Sequence, residues 1–277
     1  MSTITPAPDT LLSVRGLTLR FEGVTALEDL TFDVGRGQLF AVIGPNGAGK
    51  TSLFNILSRI YRPATGTVTY DGRDLLRVRA QDVARTGIAR TFQNLGQFPL
   101  HTVMDYMLLG RHSHMRSGVL LGGLHYGPSR AEERRNRAYC LHILQLLDLA
   151  AVRDMPLGAL PYGVQKRADI ARAVAMQPKL LLLDEPVAGM GLDESLNVAA
   201  VILDVKEQLG ITQILVEHDM AMVMGIADRV LVLDFGRMIA QGTPAETQAN
   251  PDVIRAYLGE PVSATAPAGA TASEPSA

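Results

Sequence analysis

The amino-acid sequence predicts an α/β fold built on a mostly parallel sheet, with a helical insert midway along the chain. Three observations predict it. Short apolar runs recur at Leu39–Ile43, 180–183, Thr212–Val216 and 230–233, with helical stretches between them. The first run opens directly into a glycine-rich loop that precedes a helical pattern. The composition, 47% hydrophobic and 19% charged over 277 residues, supports a sizeable core and excludes a wholly disordered chain.

The elements follow in order. Residues 1–10 are rich in Pro, Thr and Ser and read as a flexible N-terminus. Residues 12–21 and 30–34 alternate polar and apolar side chains, the pattern of two strands. Leu39–Ile43 is apolar throughout, as in a strand buried on both faces. Residues 50–60 form the helix that follows. Residues 65–72 read as a further strand closed by the turn pair Asp71-Gly72. The middle of the chain changes character: Val103–Arg111 and 130–149 are helical, and Cys140, Ile143, Leu144 and Leu147 make an i, i+3, i+4, i+7 stripe. Residues 165–176 are another helix, and strands then return. Residues 261–277 hold six Ala, three Pro, three Ser and two Thr, so little can be buried and a disordered tail is expected. No internal repeat of fixed period is evident.

Charge narrows the function classes. With 26 basic and 28 acidic residues the net charge is −2, which argues against a general nucleic-acid binder. The lone Cys140 precludes an internal disulfide framework and fits a reducing compartment. No uncharged apolar run approaches the ~18–20 residues of a membrane helix, and the first residues lack a signal-peptide pattern. A soluble intracellular protein is expected.

Gly44-Pro45-Asn46-Gly47-Ala48-Gly49-Lys50-Thr51 matches G-x-x-x-x-G-K-S/T between a predicted strand and a predicted helix, the context this motif requires. Glycines let the backbone wrap closely, so successive N–H groups point at phosphates. The helix N-terminus, continued by Ser52, adds a partial positive charge. Lys50 is placed to reach the β- and γ-phosphates, and the Thr51 hydroxyl to ligate Mg²⁺. The loop therefore binds a nucleoside triphosphate, taken as ATP.

The apolar run 180–183 ends in Asp184-Glu185. Leaving a buried strand beside the phosphate loop, Asp184 can hold Mg²⁺ directly or through water, and Glu185 can polarise the attacking water as general base. A second carboxylate points to hydrolysis as well as binding. Other charged clusters carry less. His112-Ser113-His114 has no carboxylate or cysteine nearby and makes an improbable metal site. Arg130, Arg134, Arg135 and Arg137, broken by Glu132 and Glu133, read as a solvated helix face.

Together with what lies between and after them, these two motifs resemble those of the ATP-binding-cassette (ABC) ATPases over residues 11–260. The resemblance implies a P-loop NTPase (RecA-like) nucleotide-binding domain with an antiparallel β-subdomain and an α-helical subdomain at about 98–165. It implies further site residues. Gln93, in Arg90-Thr91-Phe92-Gln93-Asn94, resembles the glutamine that links Mg²⁺ and the attacking water to the helical subdomain. His218, in Val216-Glu217-His218-Asp219, resembles the switch histidine at the γ-phosphate, and Phe21 the aromatic that stacks on adenine. The loop from Ala188 to Asp193 sits where the family places the loop that crosses to a partner subunit. Leu160-Pro161-Tyr162-Gly163-Val164-Gln165 stands at the signature segment that meets the partner's ATP, where the family pattern begins Leu-Ser-Gly-Gly. Pro161 replaces a hydroxyl and an N–H there, while Gly163 and the helix N-terminus remain for anion binding.

The Tyr162-Gly163 pair, Glu217-His218-Asp219-Met220, Asp234-Phe235-Gly236-Arg237, Gly242-Thr243-Pro244, Asn250-Pro251 and the closing stretch from Val253 to Gly259 are similar to one branch, the LivG-type ATPase of branched-chain (hydrophobic) amino acid importers. Relatives in this branch also carry urea, short amides or aromatic acids, and lipid or lipopolysaccharide exporters have related cassettes. The resemblance implies a peripheral subunit at the cytoplasmic face of the inner (plasma) membrane. Its expected partners are two transmembrane permease subunits, a second ABC ATPase (a heterodimer, with a homodimer as the alternative) and, indirectly, a solute-binding protein; no nucleic acid is expected.

Overall fold

The computed structural model describes residues 9–92, 98–112 and 128–258. In chain order the elements are β1 (Thr10–Phe21), β2 (Val24–Gly35), β3 (Leu39–Ile43), α1 (Lys50–Leu57), β4 (Thr65–Tyr70), β5 (Arg73–Asp74), β6 (Ile88–Arg90), α2 (Val103–Arg111), α3 (Pro128–Leu146), α4 (Tyr162–Ala175), β7 (Leu180–Asp184), α5 (Leu192–Leu209), β8 (Thr212–Val216), α6 (Met220–Ile226), β9 (Arg229–Asp234), β10 (Arg237–Gly242), α7 (Pro244–Gln248) and α8 (Pro251–Leu258).

They form two sheets. One is antiparallel, in the order β2-β1-β4-β5; the other runs β10-β9-β3-β8-β7-β6 and is parallel except for the edge strand β10. The expected α/β fold with a mostly parallel sheet is what forms. Each two-residue hairpin turn places both residues at positive φ: Glu22-Gly23, Asp71-Gly72 and Phe235-Gly236. That twist matches the right-handed twist of the flanking strands, and glycine in the second place removes the steric penalty.

Burial of the parallel strands is two-sided, as their unbroken apolar sequence requires. Leu39, Ala41 and Ile43 of β3, Leu181 and Leu183 of β7, and Val230 and Val232 of β9 face a core shared with α2 to α6. Phe40, Val42, Leu180, Leu182, Leu231 and Leu233 face a second core shared with α1 and the antiparallel sheet. The loops leaving the carboxyl ends of β3, β6, β7, β8 and β9 therefore gather at one edge, the usual place for a ligand in an open α/β sheet.

Several boundaries differ from the sequence expectation, among them the end of the helix expected over 130–149, which stops at Leu146, and three with a clear local cause. β2 starts at Val24 instead of residue 30, because Asp29, at φ 51, breaks the alternation where the β1–β2 register shifts. α1 ends at Leu57 instead of residue 60, where Arg59 turns left-handed at φ 60. α4 begins at Tyr162, not Gln165; the Pro161 carbonyl accepts from the Val164 and Gln165 N–H groups and starts the helix. The Cys140, Ile143, Leu144 and Leu147 stripe is fully buried, while Arg134, Arg135 and Arg137 are exposed. Residues 1–8, 93–97, 113–127 and 259–277, with Ser113 and His114 among them, lie outside the described residues. No helix among the described residues is long and apolar enough to cross a membrane.

Candidate functional site: a phosphate loop with an acidic strand end

The loop after β3 closes because glycine stands where no side chain fits. At Gly44 (φ 151) a Cβ would lie 2.1 Å from the Leu233 carbonyl oxygen, and at Gly49 (φ 101) 2.6 Å from that of Ala26. Gly49 caps α1 without a side-chain acceptor, so the first-turn N–H groups at Lys50, Thr51 and Ser52 stay open to an anion. The β9–β10 turn braces the loop: Gly236 N–H donates to the Ala48 carbonyl at 3.1 Å, and Glu28 N–H to the Gly236 carbonyl at 2.8 Å. The Lys50 side chain is buried and folds onto the loop, with Nζ donating to the carbonyls of Gly44 (2.6 Å) and Pro45 (2.9 Å). Burial pushes the Lys50 ammonium's pKa down, against the pull of Glu185 and Glu217.

A cavity of about 210 Å³ is lined by Ala26, residues 46–52 and Glu185. The structure thus brings Asn46, Gly47, Ala48, Gly49, Lys50, Thr51 and Ser52 together with Glu185 around one cavity, which Asp184 does not line. Larger hollows include those of about 570 and 450 Å³, beside Phe235 and around Lys179. Neither holds the open N–H groups of α1, so size does not mark the chemical site. Phe21, at the end of β1, is partly exposed and meets Tyr61 edge-to-face at 5.1 Å.

Asp184 and Glu185 have opposite settings. Asp184 is buried, and its Oδ2 accepts from Arg90 Nη2 at 2.6 Å, while Arg90 also donates to Asn55 Oδ1 at 2.8 Å. Glu185 follows at φ 46, its N–H bonded to the Val216 carbonyl at 2.9 Å, and its carboxyl borders the cavity. His218 follows β8 with a half-exposed side chain, its Nδ1 3.5 Å from Glu217 Oε2. Gln93 lies outside the described residues.

No group of three or more His, Cys, Asp or Glu side chains among the described residues could hold a metal ion. Thr51, which lines the cavity, and Asp184, at the end of β7, carry oxygen donors on two elements that pack together. That sparse, hard donor set fits Mg²⁺, which keeps waters and takes substrate phosphate oxygens instead of an all-protein cage.

The segment at 160–165 stands apart from this cavity. Tyr162 is exposed, with Lys166 Nζ 5.5 Å over its ring, and the Gln165 amide donates to the Leu160 carbonyl at 2.8 Å. A Cβ at Gly163 would touch Glu194 at 3.4 Å. The helix start at Tyr162 has no side-chain cap; Tyr162 is exposed and Gly163 is buried.

Sequence reasoning missed three groups. Arg90 holds Asp184. Asp169, in α4, accepts from Phe92 N–H (2.6 Å), the Tyr106 hydroxyl (2.8 Å) and Arg172 Nε (2.8 Å). Glu217 is wholly buried among backbone N–H groups. Only Glu217 carried a sequence signal: an ionisable residue directly after the apolar strand β8.

Comparison with known proteins agrees with this geometry. A family model described as ABC transporter matches residues 27–188, and one described as branched-chain amino acid ATP-binding cassette transporter matches residues 237–263. The high-affinity branched-chain amino acid transport ATP-binding protein BraF of Pseudomonas aeruginosa is 38% identical over 250 residues, spanning 90% of this chain and 98% of its own. LivG of Escherichia coli is 39% identical with the same coverage. Among solved structures, a nucleotide-free ATP-binding cassette from an ABC transporter superposes with TM-score 0.79 at 26% identity, covering 91% of this chain and all of its own. The ADP conformation of the cassette MJ1267 also gives TM-score 0.79, at 27% identity and 91% and 99% coverage. With its phosphate loop, its acidic strand end and relatives of this likeness along nearly the whole cassette, the chain belongs to the ATP-binding subunits of ABC transporters, an ATPase family, in the branch that contains LivG and BraF.

Proposed function

We propose that this chain energises a membrane importer for branched-chain or other hydrophobic amino acids. The observation that carries the reading is the Glu185 carboxylate bordering the same cavity as Lys50, Thr51 and the open N–H groups of α1. The loop from Gly44 through Ser52 cradles the phosphates of ATP, and Phe21 stacks on adenine. Lys50 exchanges its two carbonyl partners for phosphate oxygens, which also offsets the burial of its charge. Glu185 accepts a proton from the attacking water, and His218 and Gln93 contact the γ-phosphate side. Mg²⁺, held by Thr51, Gln93 and Asp184, supplies charge neutralisation at the phosphates.

Residues 160–165 of one cassette serve the ATP of another. Two cassettes sandwich two nucleotides, and closure pushes on two permease subunits at the cytoplasmic face of the membrane, with a solute-binding protein delivering cargo. The second cassette is a sister ATPase, so a heterodimer is proposed. The start of α4 supports the sandwich in that no side chain caps it and Pro161 and Tyr162 are exposed, leaving an uncapped helix N-terminus that can favour an anion.

The test is a pull-down from native membranes with tagged, full-length Glu185→Gln protein and Mg-ATP. Co-purification of a second ATPase and two permeases is expected. Recovery of an exporter's membrane subunit would reassign the direction of transport, and recovery of ribosomes or DNA would overturn the transport reading.

A further inference from the structure

We infer that Glu217 is a positioning residue of the hydrolytic site, its carboxylate locking the turn that carries Glu185 to the loop that carries His218. The inference rests on the reading of Glu185 as the base. β7 and β8 pair in parallel as far as Asp184 and Val216, and the last backbone bond runs from Glu185 N–H to the Val216 carbonyl at 2.9 Å. Beyond it the two chains part, and backbone pairing no longer holds the Glu185 turn against the His218 loop. Glu217 spans that gap: Oε1 accepts from Val187 N–H at 3.0 Å, and Oε2 from the N–H groups of His218 at 3.0 Å and Asp219 at 3.5 Å.

The setting favours positioning over simple packing. The Glu217 side chain is 0% exposed and, among the described residues, forms no salt bridge with a lysine or arginine, although its charge reaches the buried Lys50 ammonium; its ion-pair contact is His218 Nδ1 at 3.5 Å. A buried carboxylate is costly unless donors satisfy it, and the donors here are the backbone of the two segments that present Glu185 and His218. Glu185 sits at φ 46, a conformation that persists only where its surroundings over-determine it. Val187, two residues on, is the point at which Glu217 does so. Burial raises the Glu217 pKa and the backbone donors pull it back, in keeping with a carboxylate that depends on them. Val187 also accepts from Met190 N–H at 3.1 Å, so the lock extends into the loop running to Asp193. On the other side, Asp219 caps α6 through Met222 N–H at 3.0 Å.

Glu217→Gln keeps the volume but turns one acceptor into a donor facing a backbone N–H. In full-length protein, kcat for ATP should fall about tenfold or more, as expected when a base is displaced without being removed. ATP affinity, read with a fluorescent ATP analogue, should stay within about twofold. In a Glu185→Gln background the same change should leave the residual turnover within about twofold, because the group being positioned is already gone. A separate measurement on the wild-type chain needs no variant: the Val187 amide should exchange with deuterium about a hundredfold more slowly than an unstructured amide. Unchanged kcat in Glu217→Gln, an equal loss in both backgrounds, or a Val187 amide exchanging at the unstructured rate would each overturn the inference. The reading of Glu185 is scored separately: full turnover in Glu185→Gln removes the base and this inference with it, whereas lost turnover there with normal turnover in Glu217→Gln removes the inference alone.

Discussion

Gly44 and Gly47 both adopt positive φ in the phosphate loop, yet for different reasons. A Cβ on Gly44 would collide with the Leu233 carbonyl of the neighbouring strand, whereas one on Gly47 would meet nothing within 4 Å. Gly44→Ala should therefore destabilise the fold by about 3 kcal/mol or more, since backbone must move. Gly47→Ala should cost only about 1 kcal/mol, the strain of the left-handed conformation alone. Urea unfolding of the two variants separates these cases; equal losses would show that space at Gly44 is not the constraint. The chemistry divides similarly between Lys50 and Glu185. Glu185→Gln should keep ATP affinity while turnover drops about a hundredfold or more, as when a general base is removed. Lys50→Ala should weaken ATP binding itself, so affinity measurements on the pair distinguish phosphate binding from water activation.

Helix α4 does more than present an N-terminus. Its Asp169–Arg172 pair is buried, and Arg172 Nη2 donates to the Arg90 carbonyl at 2.8 Å while its guanidinium stacks 4.0 Å from the Phe92 ring. The pair thereby joins α4 to the end of β6, whose Arg90 holds Asp184, and to α2 through Tyr106. Removing one member of a buried pair strands the other as an uncompensated charge. Arg172→Met should cost about 3–5 kcal/mol for that reason. Tyr106→Phe removes one hydrogen bond but leaves Asp169 with Arg172 and the Phe92 N–H, so about 1–2 kcal/mol is expected. Chemical denaturation of both variants checks the ordering, and a smaller loss for Arg172→Met than for Tyr106→Phe would refute it.

At the scale of the whole molecule, the two sheets meet over one core and are also clamped at the end remote from the phosphate loop. Asp71, in the β4–β5 turn, bonds Arg36 after β2 and Lys179 before β7, each at 2.6 Å. Those two cations hold the Asp71 carboxyl down at about 2. A carboxylate depressed on folding adds stability above its unfolded value near 4, and that stability is lost as pH falls toward 2. The stability gap between wild type and Asp71→Asn should be constant near neutral pH and should shrink between about pH 4 and 2. Unfolding measured across that range tests it; a gap that widens on acidification would contradict the clamp.

Much of this was legible along the chain because it is local. The phosphate loop, the strands Leu39–Ile43 and Thr212–Val216, and the helix Val103–Arg111 each announce themselves within a dozen residues, through periodicity and glycine placement. β2 was only half legible, since a single left-handed aspartate, Asp29, breaks its alternation. Arg90 with Asp184, 94 positions apart, and Asp169 with Phe92, 77 apart, left no local trace. Sequence by itself determined where a glycine-rich loop joins a strand to a helix and which runs must be buried, because backbone freedom and hydrophobicity are properties of the residue and its near neighbours. Tertiary structure alone decided which carboxylate is held by an arginine, which borders the cavity and which is buried among N–H groups. Those settings depend on what the fold brings together across the sheet, and desolvation and hydrogen bonding act through space and not along the chain.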